Sequence, residues 1–309
     1  MLSLSSQDRP ISSLSPPAGA ASHGASAGTG TLEFGRAGMT DSPGSGRTVV
    51  TKAYAQSPLR LLNPRNHGTS SWVYTSTYGG GLLSGDTIDL KVRVCEGATA
   101  LLATQASTKI YRATADAGPR RSRPSTQLLT AQVDSDGLLA LAPDPVVCFA
   151  GARFVQQQDI HLHAEASLLL IDWLSAGRHA SGERWAFDSY FSRIAIWQDG
   201  RKLVHEALRL GDAAEMGLLP ERMGRFNVLA VMVLVGKKTQ DAARELLAAL
   251  AQARAERNAQ LLVVGSALGE SGAILRIGGV AVEQVAEALR QRCRFLIPLL
   301  GDDPWSRKW

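Results

Sequence analysis

The feature that most limits how this chain can fold is a rhythm of short alternating runs, broken at close intervals by Gly, Pro, Asp and Asn. In residues 88–94, Ile88, Leu90, Val92 and Val94 alternate with Asp89, Lys91 and Arg93. A period of two belongs to a strand with one face in a core and the other in water. Similar alternating or apolar runs occupy 49–54, 72–77, 100–104, 127–133, 138–141 and 154–162. This spacing predicts a mainly β body and argues against a doubly wound α/β fold, whose helices would fall between the strands. Further on, Asp199-Gly200 between 194–197 and 203–204 predicts a hairpin, and 226–235, 261–264 and 273–277 predict further strands. Helical periodicity arrives late. Thr239 is placed to cap a helix running to about Arg257, with Leu246, Leu247 and Leu250 on one face, and 282–293 carries a second helical pattern.

Residues 1–30 are dominated by Ser, Ala, Gly and Pro. They hold too little apolar surface to offset the entropy of ordering them, so the reading is a disordered tail before one folded unit over 31–309. With 309 residues and 45% hydrophobic content, the chain can bury a substantial core. A net charge of +5 is only mildly basic, and the densest basic stretch, Arg120, Arg121 and Arg123 among prolines, reads as a solvated loop rather than a nucleic-acid surface. Three widely spaced cysteines, Cys95, Cys148 and Cys293, fit neither a disulfide framework nor a Cys-x-x-Cys metal site, which points to a reducing compartment such as the cytoplasm. The longest apolar run, 228–235, is far short of a membrane span, so no membrane association is expected.

Several segments hold candidate chemistry. Tyr78-Gly79-Gly80-Gly81-Leu82-Leu83-Ser84-Gly85-Asp86 is rich enough in glycine to suggest a phosphate loop. Such a loop needs a helix behind it to present N–H groups to the anion. The glycine segment leads instead into the alternating strand at 88–94, so a shaped connection between strands is the better reading. His161 and His163, two apart on a strand, would project from one face and could serve a metal-dependent hydrolase together with Asp172. No third ligand is evident near the two histidines in the sequence. Asp172, Arg178 and Glu183 come after the apolar run 168–171, where the chain leaves the core, and charges there must be paired or hydrated. Thr104-Gln105-Ala106-Ser107-Thr108-Lys109-Ile110-Tyr111-Arg112 gathers hydroxyls, an amide and two cations.

Taken together, these segments resemble the UreD family of urease accessory proteins, called UreH in some organisms. The resemblance rests on Ser57-Pro58-Leu59-Arg60, Gly79-Gly80-Gly81-Leu82-Leu83-Ser84-Gly85-Asp86, the 104–112 segment, Pro143-Asp144-Pro145, Gly151-Ala152-Arg153-Phe154, and Gly177-Arg178-x-Ala180-x-Gly182-Glu183. It covers 31–309. The C-terminus reads Trp305-Ser306-Arg307-Lys308-Trp309 where a Pro-Arg-x-Trp ending is common in the family.

The resemblance implies a β-helix-like stack of strands with two α-helices in the C-terminal half, and a protein that is not an enzyme. It implies a scaffold that joins UreF and the GTPase UreG on the urease apoprotein as a hetero-oligomer, such as a dimer of heterotrimers. That scaffold would help deliver nickel through an internal tunnel, with nickel in transit and no tightly bound cofactor. On that footing Asp86, Thr104, Ser107, Asp144, Asp172 and Glu183 are candidates to line the nickel path, with Asp86 and Glu183 as weak, transient ligands. Gly79, Gly80, Gly81, Gly85, Lys109, Tyr111, Arg112, Gly177, Arg178 and Gly182 form the structural motifs. Ni²⁺ binds thiolate and imidazole cages tightly, so a path of carboxylates and hydroxyls suits a metal that must move on.

Overall fold

Strands whose apolar residues alternate come to lie with one face in solvent, while strands that are apolar throughout are buried on both faces, and this difference sorts the chain into two sheets. The computed structural model describes residues 27–37, 46–112, 123–178, 181–211, 218–254, 256–270 and 272–306. In chain order, the strands of the first half are β1 (Ala27–Arg36), β2 (Thr48–Ala55), β3 (Leu59–Leu62), β4 (Ser71–Thr77), β5 (Gly81–Leu82), β6 (Thr87–Val94), β7 (Thr99–Thr104), β8 (Thr108–Ile110) and β9 (Ser125–Val133). They continue with β10 (Leu138–Ala142), β11 (Val146–Cys148), β12 (Arg153–Leu162), β13 (Ser167–Ser175), β14 (Ser189–Gln198), β15 (Arg201–Gly211), β16 (Val228–Val235), β17 (Leu261–Leu268) and β18 (Gly272–Gly279). The α-helices among the described residues are α1 (Leu219–Met223), α2 (Gln240–Gln252), α3 (Val282–Arg292) and α4 (Leu296–Leu300).

One sheet runs β15-β14-β12-β9-β6-β1-β2, and the other runs β17-β18-β16-β13-β10-β7-β4-β3 with β5, β8 and β11 attached beside it. Between β6 and β14 the chain swings from one sheet to the other. β6, β9, β12 and β14 are parallel neighbours in the first sheet, and β4, β7, β10 and β13 are parallel neighbours in the second. Each circuit therefore lays one long strand on each sheet, with the short strands β8 and β11 added beside the second. Antiparallel pairs close the ends, with β2 on β1, β15 on β14, and β16, β18 and β17 beyond β13.

The inner faces form one core, built from residues such as Phe34, Leu90, Val92, Leu139, Ile160, Leu168, Leu170 and Ile196. The outer face of the second sheet forms another, where Leu169, Ile171, Met232, Leu234, Leu275 and Ile277 meet helix residues Ala243, Leu247, Leu250, Val285 and Leu289. Strand β13 feeds both cores through alternate residues, which is why 168–171 reads as an unbroken apolar run. Burying each such leucine is worth about 1.5–3 kcal/mol. The first sheet has no helix on its outer face among the described residues, so β6 keeps its charged residues at every second position.

The predicted strands are all present, as are the hairpin and the two helices. Asp199 and Gly200 both take positive φ at the hairpin tip, 49° and 75°, as a type I′ turn requires. Three details differ from the sequence reading. β1 begins at Ala27, inside the stretch read as a tail, because its residues pair with β6 from Ala27 onward; residues 1–26 lie outside the described residues. α2 stops at Gln252 with Ala253 extended, five residues before Arg257. Thr239 stands at the N-cap of α2 but donates its hydroxyl to the Gly236 carbonyl instead of accepting from the helix.

Candidate functional site

A circuit that alternates between sheets brings its inner faces together, and polar residues at inner positions must then find partners or water inside the protein. Gln127, Gln156 and Ser192 stand at one register level on β9, β12 and β14. Gln156, Gln158 and Ser192 are buried. Asp172 faces them from β13. Its Oδ1 accepts a 2.7 Å hydrogen bond from Gln156 Nε2, and its Oδ2 accepts one of 2.7 Å from Ser192 Oγ. Burial pushes the Asp172 carboxyl above the usual aspartate range, and the two hydrogen bonds pull the other way.

Asp172 lines two pockets at once. The inner pocket, about 130 Å³, lies between the sheets among Thr104, Ser107, Gln127, Asp144, Gln156, Gln158 and Asp172. The outer pocket, about 280 Å³, continues from Asp172 and Ser192 past Ile194, Leu229 and Val231 toward Glu206, Arg276 and Val264. At the far side of the inner pocket, Thr104 Oγ1 accepts the Asp144 N–H at 2.7 Å and donates to Asp144 Oδ2 at 3.2 Å. Asp172 is thus common to the lining of both pockets, which between them present carboxylates, hydroxyls and amides.

The other predicted residues stand elsewhere. Asp86 is buried, and its Oδ2 accepts the Leu83 N–H at 2.9 Å, so the carboxylate closes its own turn. Glu183 pairs with Arg178, whose Nε donates to Oε2 at 3.1 Å, and also accepts the Ala150 N–H at 3.2 Å. The hydrogen bonds from Arg178, and then that from Ala150, hold the Glu183 carboxyl below the usual glutamate range. Arg178 in turn lies over the Phe149 ring, 4.4 Å from its centroid. Neither Asp86 nor Glu183 lines either pocket. Ala180 of the same motif lies outside the described residues.

The glycine stretch makes a tight connection. Gly79 and Gly80 take positive φ in a short turn of 3₁₀ helix, Tyr78–Gly80, and Gly81 then enters β5 beside β8. A Cβ on Gly81 would fall 2.5 Å from both the Lys109 carbonyl oxygen and the Tyr111 ring, so only glycine lets the two segments approach. Tyr111 itself packs edge-on against Phe149, with centroids 5.1 Å apart.

The hydrolase alternative fails on geometry. His161 is exposed and stacks on Trp197 at 6.1 Å, while Asp172 points between the sheets. His163 Nδ1 accepts the Glu165 N–H at 3.1 Å in the turn after β12. Among the described residues, no group of three or more His, Cys, Asp or Glu is placed to hold a metal ion. Cys148 is buried, and burial pushes its thiol up, away from the thiolate that would bind a metal.

The sequence reading missed Gln127, Gln156, Gln158, Ser192, Glu206 and Arg276. A signal for two of them was available. In an alternating strand, 156 and 158 share parity with Phe154 and Ile160, so the amides occupy core positions, and a polar residue on an apolar face marks interior space or a partner.

The family model described as UreD urease accessory protein matches residues 27–309. The chain is 48% identical over 308 residues to the urease accessory protein UreD of Sorangium cellulosum, covering 97% of this chain and 93% of that protein. It is 42% identical to the urease accessory protein UreD of an Anaeromyxobacter species, covering 92% of this chain and 90% of the relative. Urease accessory protein D of Arabidopsis thaliana is 30% identical, covering 84% and 96%. No helix among the described residues is long and apolar enough to cross a membrane.

Proposed function

The chain belongs to the UreD urease accessory protein family, and from that premise we propose that it is a non-enzymatic scaffold of urease metallocentre assembly. It joins UreF and UreG on apo-urease in the cytoplasm, within a hetero-oligomer such as a dimer of heterotrimers, and passes nickel through its interior. The parallel circuits between two sheets support a β-helix-like stack, whose inner faces bound the passage.

The observation that carries the conduit reading is the sharing of Asp172 by two pockets. Thr104, Ser107 and Asp144 line one side of that point, and Gln156 and Ser192 hold its carboxylate from the facing sheet. Oxygen ligands spaced along water-accessible space bind a divalent cation weakly enough to release it, which thiolate or imidazole cages would not. Asp86 and Glu183 serve the conduit indirectly in this reading, by fixing the turns that frame it.

The test has two arms. Co-expression with UreF and UreG should yield a complex that survives size-exclusion chromatography, and a chain that elutes free of both overturns the scaffold reading. Asp172→Asn should leave that complex intact while lowering the nickel content of matured urease. Full nickel content in the variant overturns the conduit reading.

A further inference from the structure

The outer pocket is lined by apolar side chains except at Asp172, Ser192, Glu206 and Arg276. Asp172 lines both this pocket and the inner one. The opposite end opens to solvent, because Val264 and Leu262 of the edge strand β17 line it while 52% and 36% exposed. In the register of the second sheet, Asp172, Val231, Arg276 and Val264 form one cross-strand row from the interior to that edge. Glu206 projects to the same space from β15, the edge strand of the other sheet. Arg276 and Glu206 meet across the gap in a two-pronged ion pair, in which Nε donates to Oε1 at 3.0 Å and a terminal nitrogen donates to Oε2.

We propose that the Glu206–Arg276 ion pair is the latch of the outer mouth, which a divalent cation must displace to leave through that edge. Both Glu206 oxygens are occupied by the guanidinium, so a cation arriving from Asp172 reaches a carboxylate already taken by a charge of its own sign. It gains Glu206 only by sending Arg276 into solvent. Arg276 can go there, since its side chain is already 48% exposed and its stem is long. A neutral pair keeps the mouth from holding a cation at rest, and two positive charges on the incoming metal favour the exchange over a monovalent ion. This inference rests on the conduit reading for its physiological direction, but the exchange itself is a property of these two side chains.

The experiment titrates the full chain, carried as a fusion with a soluble partner, with Ni²⁺ alone by isothermal calorimetry. Arg276→Gln should tighten Ni²⁺ binding about tenfold, because the competing cation is gone. Arg276→Lys keeps the charge and should bind as the wild type does. Adding Glu206→Gln to Arg276→Gln should abolish the gain, and Glu206→Gln alone should weaken binding below the wild type. Differences between variants cancel any Ni²⁺ held elsewhere, and circular dichroism confirms that each is folded. An Arg276→Gln variant within about twofold of the wild type overturns the latch. So does a gain that survives in the double variant, or wild-type binding by Glu206→Gln alone. If Asp172→Asn matures urease normally while this series behaves as expected, the conduit reading falls and the latch stands. If Asp172→Asn lowers urease nickel while the series is flat, the latch alone falls.

Discussion

Asp172 on one sheet accepts a 2.7 Å hydrogen bond from Gln156 on the other, so a carboxylate and an amide join the two halves of the sandwich across its interior. Burial raises the Asp172 carboxyl in the folded protein. A carboxyl raised on folding favours the folded state while protonated, so its contribution is lost as pH rises from the unfolded value through the folded one. Asp172→Asn keeps the shape and can still accept from Gln156 and donate to Ser192. Thermal melts should therefore find the variant at least as stable as the wild type at neutral pH, with the wild type gaining on it as pH falls. A variant that melts well below the wild type at pH 7 would mean that the ionised carboxylate holds the fold.

Glu183 behaves in the opposite sense. Its carboxyl is held down by the Arg178 hydrogen bonds, so its contribution is present above the unfolded glutamate value and is lost as pH falls through the folded one. Glu183→Gln should lower stability at neutral pH by a small amount and erase that part of the acid limb. It should leave urease nickel content unchanged if Glu183 only frames the passage. A loss of nickel in a variant of normal stability would return Glu183 to the path.

Gly81 tests the tight connection. Its missing Cβ would meet the Lys109 carbonyl oxygen and Tyr111 at 2.5 Å. Gly81→Ala should cost about 1–3 kcal/mol, the usual penalty for forcing extra atoms into a packed site. Chemical denaturation reads this directly, and an unchanged midpoint would show that β5 and β8 can part freely.

The same connection enters a strand and not a helix, and it carries no phosphate-binding Lys-Ser/Thr pair. Titration with GTP or ATP should give no saturable heat. Micromolar binding would reopen the phosphate-loop reading of 78–86.

Strand β17 is an edge without a charged residue, Leu-Leu-Val-Val-Gly-Ser-Ala-Leu, and Val264 on it is exposed. Uncharged edges invite pairing with other chains. The isolated chain should aggregate, co-expression with UreF should rescue it, and Val264→Lys should raise the soluble fraction of the isolated chain. An isolated wild-type chain that stays monomeric at high concentration, and ignores UreF, would count against both the edge argument and the scaffold reading.

The sequence made strands legible wherever one face met water, because β6 and β12 write that boundary at every second residue. β13 was harder. Eight of its nine residues are buried, so the run lacks the alternation that identifies a strand, and only its apolar stretch stands out. The candidate site divided in the same way. Thr104, Ser107 and Asp144 come from motifs, Asp172 from its place after an apolar run, and all four line one pocket, whereas Asp86 and Glu183, also from motifs, close turns. Membership of a motif does not say which way a side chain points. Glu206 and Arg276 had no local signal, since their partnership spans 70 positions and depends on how two sheet edges face each other.

Because the long strands of each circuit alternate between the two sheets, the interior is written as parity. Inserting two residues into a connecting loop would leave every inward residue inward. Inserting one residue within β12 ahead of Gln156 would turn Gln156 and Gln158 out to water and bring their neighbours in, converting the polar lining of the inner pocket without touching any other strand. Natural variation in this architecture should therefore tolerate loops of many lengths and hold the phase of each strand fixed.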